Sequence, residues 1–246
     1  MSDPTSTRTP SENVDQALAR AVLYGSLSAA LAPPIELALS PLASEAVYEA
    51  STILWGGLQP ARDFSPAIDD WRSTHTRLFG HTARGTACPY ETEYGQQGLF
   101  EQPRELATIA GFYHAFGLEV ATIDRERADH VSCELEFMDF LCRKEAYALD
   151  SENEEMLAET RKAMKLFLRD HLGRFGVAFA RLLSENDPAG FYGSVGELLS
   201  ELLAHDCRSA GIEPGPQLMQ LRPPEDDNVP MACGAESELV QLQVPE

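Results

Sequence analysis

Apolar residues recur three and four positions apart through most of this chain, the spacing that places them on one side of an α-helix. In VDQALARAVLYGSLSAALA the positions Val14, Leu18, Val22 and Leu27 set that period, and Pro33 and Pro34 end it. A second helix is expected in PLASEAVYEASTILW, closed by Gly56 and Gly57, and a third over about Pro66 to Phe79, containing Trp71 and Leu78. Residues 81–102 lose the period and read as a long loop, with glycines at intervals and one proline. The helical pattern returns in PRELATIAGFYHAFG, with Pro103 suited to the first turn and Leu106, Ile109, Ala110, Tyr113 and Phe116 on one stripe.

The stretch ERADHVSCELEFMDFL, residues 126–141, opens the next expected helix, which runs to about Leu149. Its stripe is Val131, Leu135, Met138, Cys142 and Leu149. Ser151 and Glu154 then match a capping box. The face beyond it is Met164, Leu168, His171, Phe175, Ala178 and Leu182, with a break expected at Gly173 and Gly176. A last helix is expected in FYGSVGELLSELLAHDCRSAG. No run alternates β-branched and polar residues as a half-buried strand would. The expected fold is therefore all-α, a single bundle-like domain of seven or more helices over residues 13–211. A mobile lead-in precedes it at 1–12, and an extended or disordered acidic tail follows at 212–246, where ESELVQL is a short candidate helix turn.

Composition narrows the function. Asp and Glu total 39 against 19 Lys and Arg, a formal charge of −20. That field repels nucleic acid and anionic membrane surfaces and attracts cationic partners. The five cysteines show no C-x-x-C pair, which suits neither a disulfide framework nor a zinc ribbon. There is no signal-peptide pattern at the start and no apolar run long enough for a membrane span, so the expected location is the cytoplasm. No phosphate loop, nucleophile elbow or H-E-x-x-H is present, and no enzyme activity, cofactor or metal is expected.

Two clusters carry candidate chemistry. On the helix that this stretch opens, residues four apart share a face, so His130 sits over Glu134 and Asp129 over Cys133. Such a polar strip could grip a mixed polar and apolar partner. Alternatively Asp129 caps the helix while His130 pairs locally with Glu134, or His130 and Glu134 begin a metal site. In the loop, PYETEYG sets Glu91 and Glu93 between Tyr90 and Tyr94. Carboxylates and ring faces together suit an arginine-bearing ligand, although tyrosines also staple loops to cores. His171 is assigned to a helix end or the core, and Trp71 is most economically a core residue beside the loop.

The order CPYETEYG, ERADHVSCELEFMDFL, FLRDHLGRFGVAFARLL resembles the TorD/DmsD/NarJ family of redox-enzyme maturation chaperones over about residues 15–210. The Tyr–Glu loop looks more like the branch serving periplasmic molybdenum enzymes of the dimethylsulfide, ethylbenzene or chlorate/selenate type. Many relatives have proline where Ala128 stands, and Trp followed by Pro where Phe175, Gly176 and Val177 stand. The resemblance implies an all-helical cytoplasmic chaperone without catalytic turnover. It implies binding of a molybdenum-containing catalytic subunit precursor, through its twin-arginine leader or its body, while bis-molybdopterin guanine dinucleotide is inserted and export is delayed. The residues it implies for client binding are Asp129, His130 and Glu134, with Tyr90, Glu91 and Tyr94 lining the groove and Trp71 beside them. Homodimerisation is left open, and the rivals are a helical metalloenzyme centred on His130 and Glu134 or an acidic adaptor for basic proteins.

Overall fold

The computed structural model describes residues 10–33, 45–56, 68–80, 85–95, 101–120 and 127–222. Eight α-helices lie among them: α1 (Pro10–Leu31), α2 (Glu45–Trp55), α3 (Ile68–Phe79), α4 (Gln102–Ala115), α5 (Val131–Asp150), α6 (Glu154–Asp170), α7 (Leu172–Asn186) and α8 (Phe191–Ala210). The described residues form no β-strand, with isolated bridges such as Tyr90–His130 and Tyr94–Leu221, and the all-α expectation holds. No helix among them is long and apolar enough to cross a membrane.

Helix α1 runs through the middle of the packing, against α5 and α2, and touches α8. Its buried side chains, Ala17, Ala19, Ala21, Leu23, Tyr24, Leu27, Ala30 and Leu31, include many small residues that let neighbouring helices approach closely. Leu18, placed on the core stripe by spacing, is 42% exposed. A helix buried on more than one side has no single stripe, so the period located the helix without giving its inward face. Helix α7 is the other central element, buried almost continuously from Leu172 to Ala180 and packed on α8.

The break expected near Gly173 falls at His171, which ends α6 and opens α7. A Cβ at Gly173 would stand 2.3 Å from the Leu168 carbonyl oxygen, so only glycine allows the chain to turn this tightly. The capping box at Ser151 is replaced by a different arrangement. Asn153 caps α6, its side chain accepting from the Met156 amide at 3.0 Å, while Ser151 ends α5 and donates to the Tyr147 carbonyl.

Helix α4 is held to α5 and α6 by rings. Tyr113 and Phe137 centroids lie 5.0 Å apart, Phe112 and Phe167 5.3 Å, and Phe137 and Phe167 4.8 Å. After α8 the chain from Ile212 to Arg222 forms no helix and turns back over the domain. Its Gly215 amide donates to the Gly173 carbonyl, and Leu221 bridges Tyr94. The candidate turn ESELVQL lies outside the described residues, as do the first nine positions of the lead-in.

Candidate functional site

Residues 85–95 contain the key departure from a surface loop. They are drawn inside as a strap, with Ala87, Cys88, Pro89, Glu91, Thr92 and Tyr94 buried. A buried segment without regular structure must find partners for its backbone polar groups elsewhere. Here three separate parts of the chain supply them. The Ala87 amide donates to the Leu78 carbonyl at the end of α3, at 2.8 Å. The Val131 amide donates to the Pro89 carbonyl at 2.8 Å, and the Glu91 amide to the Asp129 carbonyl at 2.9 Å. The Gly95 amide donates to the Gln220 carbonyl, and the Arg222 amide to the Glu93 carbonyl.

Asp129 and His130 lie ahead of α5 and are not part of it. His130 is the N-cap, in extended backbone geometry, and its Nδ1 accepts from the Ser132 amide at 3.2 Å and faces Ser132 Oγ at 2.7 Å. The expected stacking of His130 over Glu134 and Asp129 over Cys133 therefore does not form, because helical geometry starts one residue later. The His130 ring lies edge-on to Tyr90, 5.1 Å between centroids. Burial pushes its pKa down to about 3, with the Arg127 charge acting in the same sense. His130 is thus held neutral at pH 7, as an acceptor at Nδ1 requires.

Asp129 is fully buried and caps the strap, across space, in place of α5. Its Oδ2 accepts from the Thr92 amide at 3.2 Å and from Thr92 Oγ1 at 2.8 Å. Arg127 covers the other side of the carboxylate, Nε donating to Oδ1 at 2.9 Å and Nη2 to Oδ2 at 2.7 Å. The same guanidinium lies 4.6 Å above the centre of the Tyr90 ring.

Glu91 sits on a 3-10 turn (Glu91–Glu93) and points to the α6–α7 break. His171 Nδ1 lies 3.0 Å from its Oε2, and Arg174 Nη2 donates to Oε1 at 2.8 Å. Glu134, on the first turn of α5, is fully buried beside it, where a proton on its carboxyl is held by a hydrogen bond to the Glu91 carboxylate. Burial, first, and the neighbouring Glu91 and Asp129 carboxylates hold the Glu134 carboxyl well above the usual range, which favours its neutral form. Tyr94 is buried, its hydroxyl donating to the Cys88 carbonyl at 2.8 Å, which is the stapling role. Trp71 is 2% exposed and donates from Nε1 to the Tyr192 hydroxyl at 2.7 Å, within a ring cluster with Phe191.

The structure thus brings Tyr90, Glu91, Asp129, His130 and Glu134 together at one junction. It turns most of them inward, and Trp71 belongs to a separate part of the core. Sequence reasoning missed Arg127, His171's carboxylate partner and Arg174, although Arg127 and Arg174 each stand in a stretch singled out above. It also missed a second buried ion network. There Arg20 of α1 binds Asp206 of α8 at 2.7 Å and Glu145 of α5 at 2.8 Å, and Arg161 of α6 reaches Glu145 at 2.7 Å. Tyr24 donates to Asp206 as well. A lone arginine in the apolar run ALARAVLYG was the available signal for a buried acidic partner.

Among the described residues no three His, Cys, Asp or Glu side chains converge as a metal site would require. Comparison with known proteins matches residues 29–181 to the family model described as nitrate reductase delta subunit, a span that contains the strap, the His130 cap and the α6–α7 break. The chain belongs to that family, the TorD/NarJ chaperones. It is 33% identical over 132 residues to a selenate reductase assembly chaperone protein of Thauera selenatis, covering 53% of this chain and 62% of that one. It is 32% identical over 117 residues to the chaperone protein TorD of Photobacterium profundum, 47% of this chain and 52% of that one. The TorD of Vibrio cholerae is 29% identical over 134 residues, 52% and 57% of the two chains. The matches span between half and two thirds of the length of these relatives, all of which are named as chaperones.

Proposed function

We propose that this protein is a maturation chaperone for the catalytic subunit of an exported molybdenum enzyme. It binds the precursor through its twin-arginine leader, its body or both, holds it during insertion of bis-molybdopterin guanine dinucleotide, and delays export until folding is complete. It performs no catalytic turnover. The observation that carries the reading is the family match over residues 29–181, which includes the strap, the His130 cap and the α6–α7 break. The relatives named for selenate reductase assembly and the TorD chaperones support the class of client.

The geometry supports a division of labour at the junction. Glu91, Thr92, Asp129, His130 and Glu134 are buried and fix the strap against α5 and the α6–α7 break. Tyr90 is half-buried and Arg127 is 39% exposed at the side chain, so the contact face lies where these two meet the solvent. The excess of carboxylates steers a cationic leader toward the protein, giving fast, salt-sensitive encounter.

The test is deletion of the gene in its own host, followed by measurement of molybdenum and guanine dinucleotide bound per catalytic subunit. The expected result is a cofactor-poor subunit, restored by the wild-type gene. Unchanged cofactor content and an unchanged ratio of precursor to mature subunit would overturn the proposal.

A further inference from the structure

The place where an arginine from a partner would best sit is already filled by an arginine of the chain itself. Arg127 makes two parallel bonds to Asp129, at 2.9 and 2.7 Å, the fork-on-fork geometry that distinguishes guanidinium from a simple ammonium. Its Nη2 also donates to Thr92 Oγ1 at 2.6 Å, Tyr90 stacks beneath its plane at 4.6 Å, and Glu93 lies 3.8 Å away. A carboxylate, a hydroxyl, a ring face and a second carboxylate around one planar cation constitute a guanidinium receptor. Its floor is rigid: Asp129 and Thr92 are completely buried and bonded to each other, and the Asp129 carbonyl and the Pro89 carbonyl are tied to the strap and α5 backbones. Its occupant is less so. The Arg127 side chain is 39% exposed and reaches the cradle from residue 127, only two positions before Asp129, so it can swing out without moving the floor.

We propose that Tyr90, Thr92, Glu93 and Asp129 form a binding site for an arginine side chain of a partner, and that Arg127 occupies it in cis until the partner's arginine displaces it. The inference rests on the proposed function for the identity of that partner, an arginine-bearing leader. Exchanging one guanidinium for another conserves the buried ion pair in the complex, so the bound state leaves no unpaired Asp129 in a dry site. The exchange also sets affinity. When the competent, open cradle is a minor state, apparent affinity is reduced by the fraction open. A leader without enough further contacts therefore fails to enter, and Arg127 acts as a threshold against stray arginines.

The experiment compares the wild-type chain with Arg127→Ala and Arg127→Lys. A labelled peptide carrying a twin-arginine pair followed by an apolar stretch is titrated against each, alongside its twin-lysine counterpart. Thermal melting is recorded with and without sub-denaturing guanidinium, using ethylammonium as the control cation. If Arg127 holds the cradle for 90–99% of the time, Arg127→Ala binds the twin-arginine peptide about 10- to 100-fold more tightly than wild type. The gain vanishes with the twin-lysine peptide, and guanidinium but not ethylammonium raises the Tm of Arg127→Ala while leaving wild type unmoved. Should Arg127→Ala fail to fold, Arg127→Lys keeps a charge over Asp129 but loses the fork, and is expected to show a smaller gain in the same direction. Equal or weaker peptide binding by both variants, with no guanidinium effect, overturns the cradle. Guanidinium rescue with no peptide bound by any form supports the cradle and overturns the leader as its partner.

Discussion

Glu91→Ala is the most informative single change to the strap. It removes a carboxylate that is 1% exposed and leaves two partners behind, His171 at 6% and Arg174 at 24% side-chain exposure. Deleting one member of a buried ion pair costs about 3–5 kcal/mol, chiefly because the remaining charge stays buried without its counterpart. Two features place the cost at the low end. Arg174 retains some solvent and a second carboxylate, Glu105, at 3.7 Å. Glu134 also loses the neighbouring charge that opposes its ionisation. A loss of about 3 kcal/mol lowers the Tm of a chain this size by roughly 6–12 °C. Glu91→Gln, which keeps an oxygen for Arg174, is expected to lose about half as much. Melting curves give the total, and hydrogen exchange locates it. The amides of Ala87, Glu91, Thr92 and Gly95 should exchange faster, while α1 and α8, joined by Arg20 and Asp206, keep their protection. A fall in Tm below about 2 °C, or faster exchange spread evenly over the domain, would refute the assignment of Glu91 as the strap's anchor.

Three further outcomes follow from the same geometry. His130 stays neutral down to about pH 3 in the folded protein, whereas the unfolded chain takes up its proton near pH 6.5, so stability falls as pH drops through that window, by up to about 1.4 kcal/mol per pH unit. His130→Asn keeps an acceptor for the Ser132 amide and removes the proton; urea midpoints between pH 6 and 4 should lose about one proton of slope, and an unchanged slope would contradict the buried neutral cap. For Glu134, whose folded pKa is raised, stability is lost as pH climbs above the unfolded value of about 4.3. Glu134→Gln, which keeps a neutral donor for Glu91, should therefore be at least as stable as wild type at pH 8, with the difference closing toward pH 4, and a clear destabilisation at pH 8 would contradict a carboxyl held neutral in the folded protein. Trp71→Phe removes the bond to Tyr192 and should cost about 1–3 kcal/mol by melting without changing peptide affinity; weaker binding at unchanged Tm would return Trp71 to the contact face.

Helix positions were legible because the 3.6-residue period and the Gly and Pro punctuation are local properties. The α6–α7 break near Gly173 and the ring-bearing stripe of α4 came from the same local signals. What could not be read was which side of a helix is buried when neighbours surround it, as Leu18 on α1 illustrates. Nor could the period say that residues 85–95 are a buried strap. A segment without regular spacing looks the same whether it lies on the surface or is tied down by the carbonyls of Leu78, Asp129 and Gln220, residues that sequence distance separates widely. The candidate residues were found by type, and Tyr90, Glu91, Asp129, His130 and Glu134 do meet. Their roles depended on where α5 begins. A shift of its start to Val131 turned His130 into a cap and put Asp129 beneath Arg127, a residue whose importance shows only in three dimensions.

The proposed role is to hold a molybdenum-enzyme catalytic subunit before export. The most direct measurement is affinity capture of the tagged full-length protein from its own organism, grown with molybdate, with mass spectrometry of the captured chains and their N-terminal peptides. The expected catch is a molybdenum-enzyme catalytic subunit with its twin-arginine leader still attached, enriched over an untagged control and depleted of cofactor relative to the mature enzyme. Capture of no such subunit, or only of the processed and cofactor-loaded form, would contradict it.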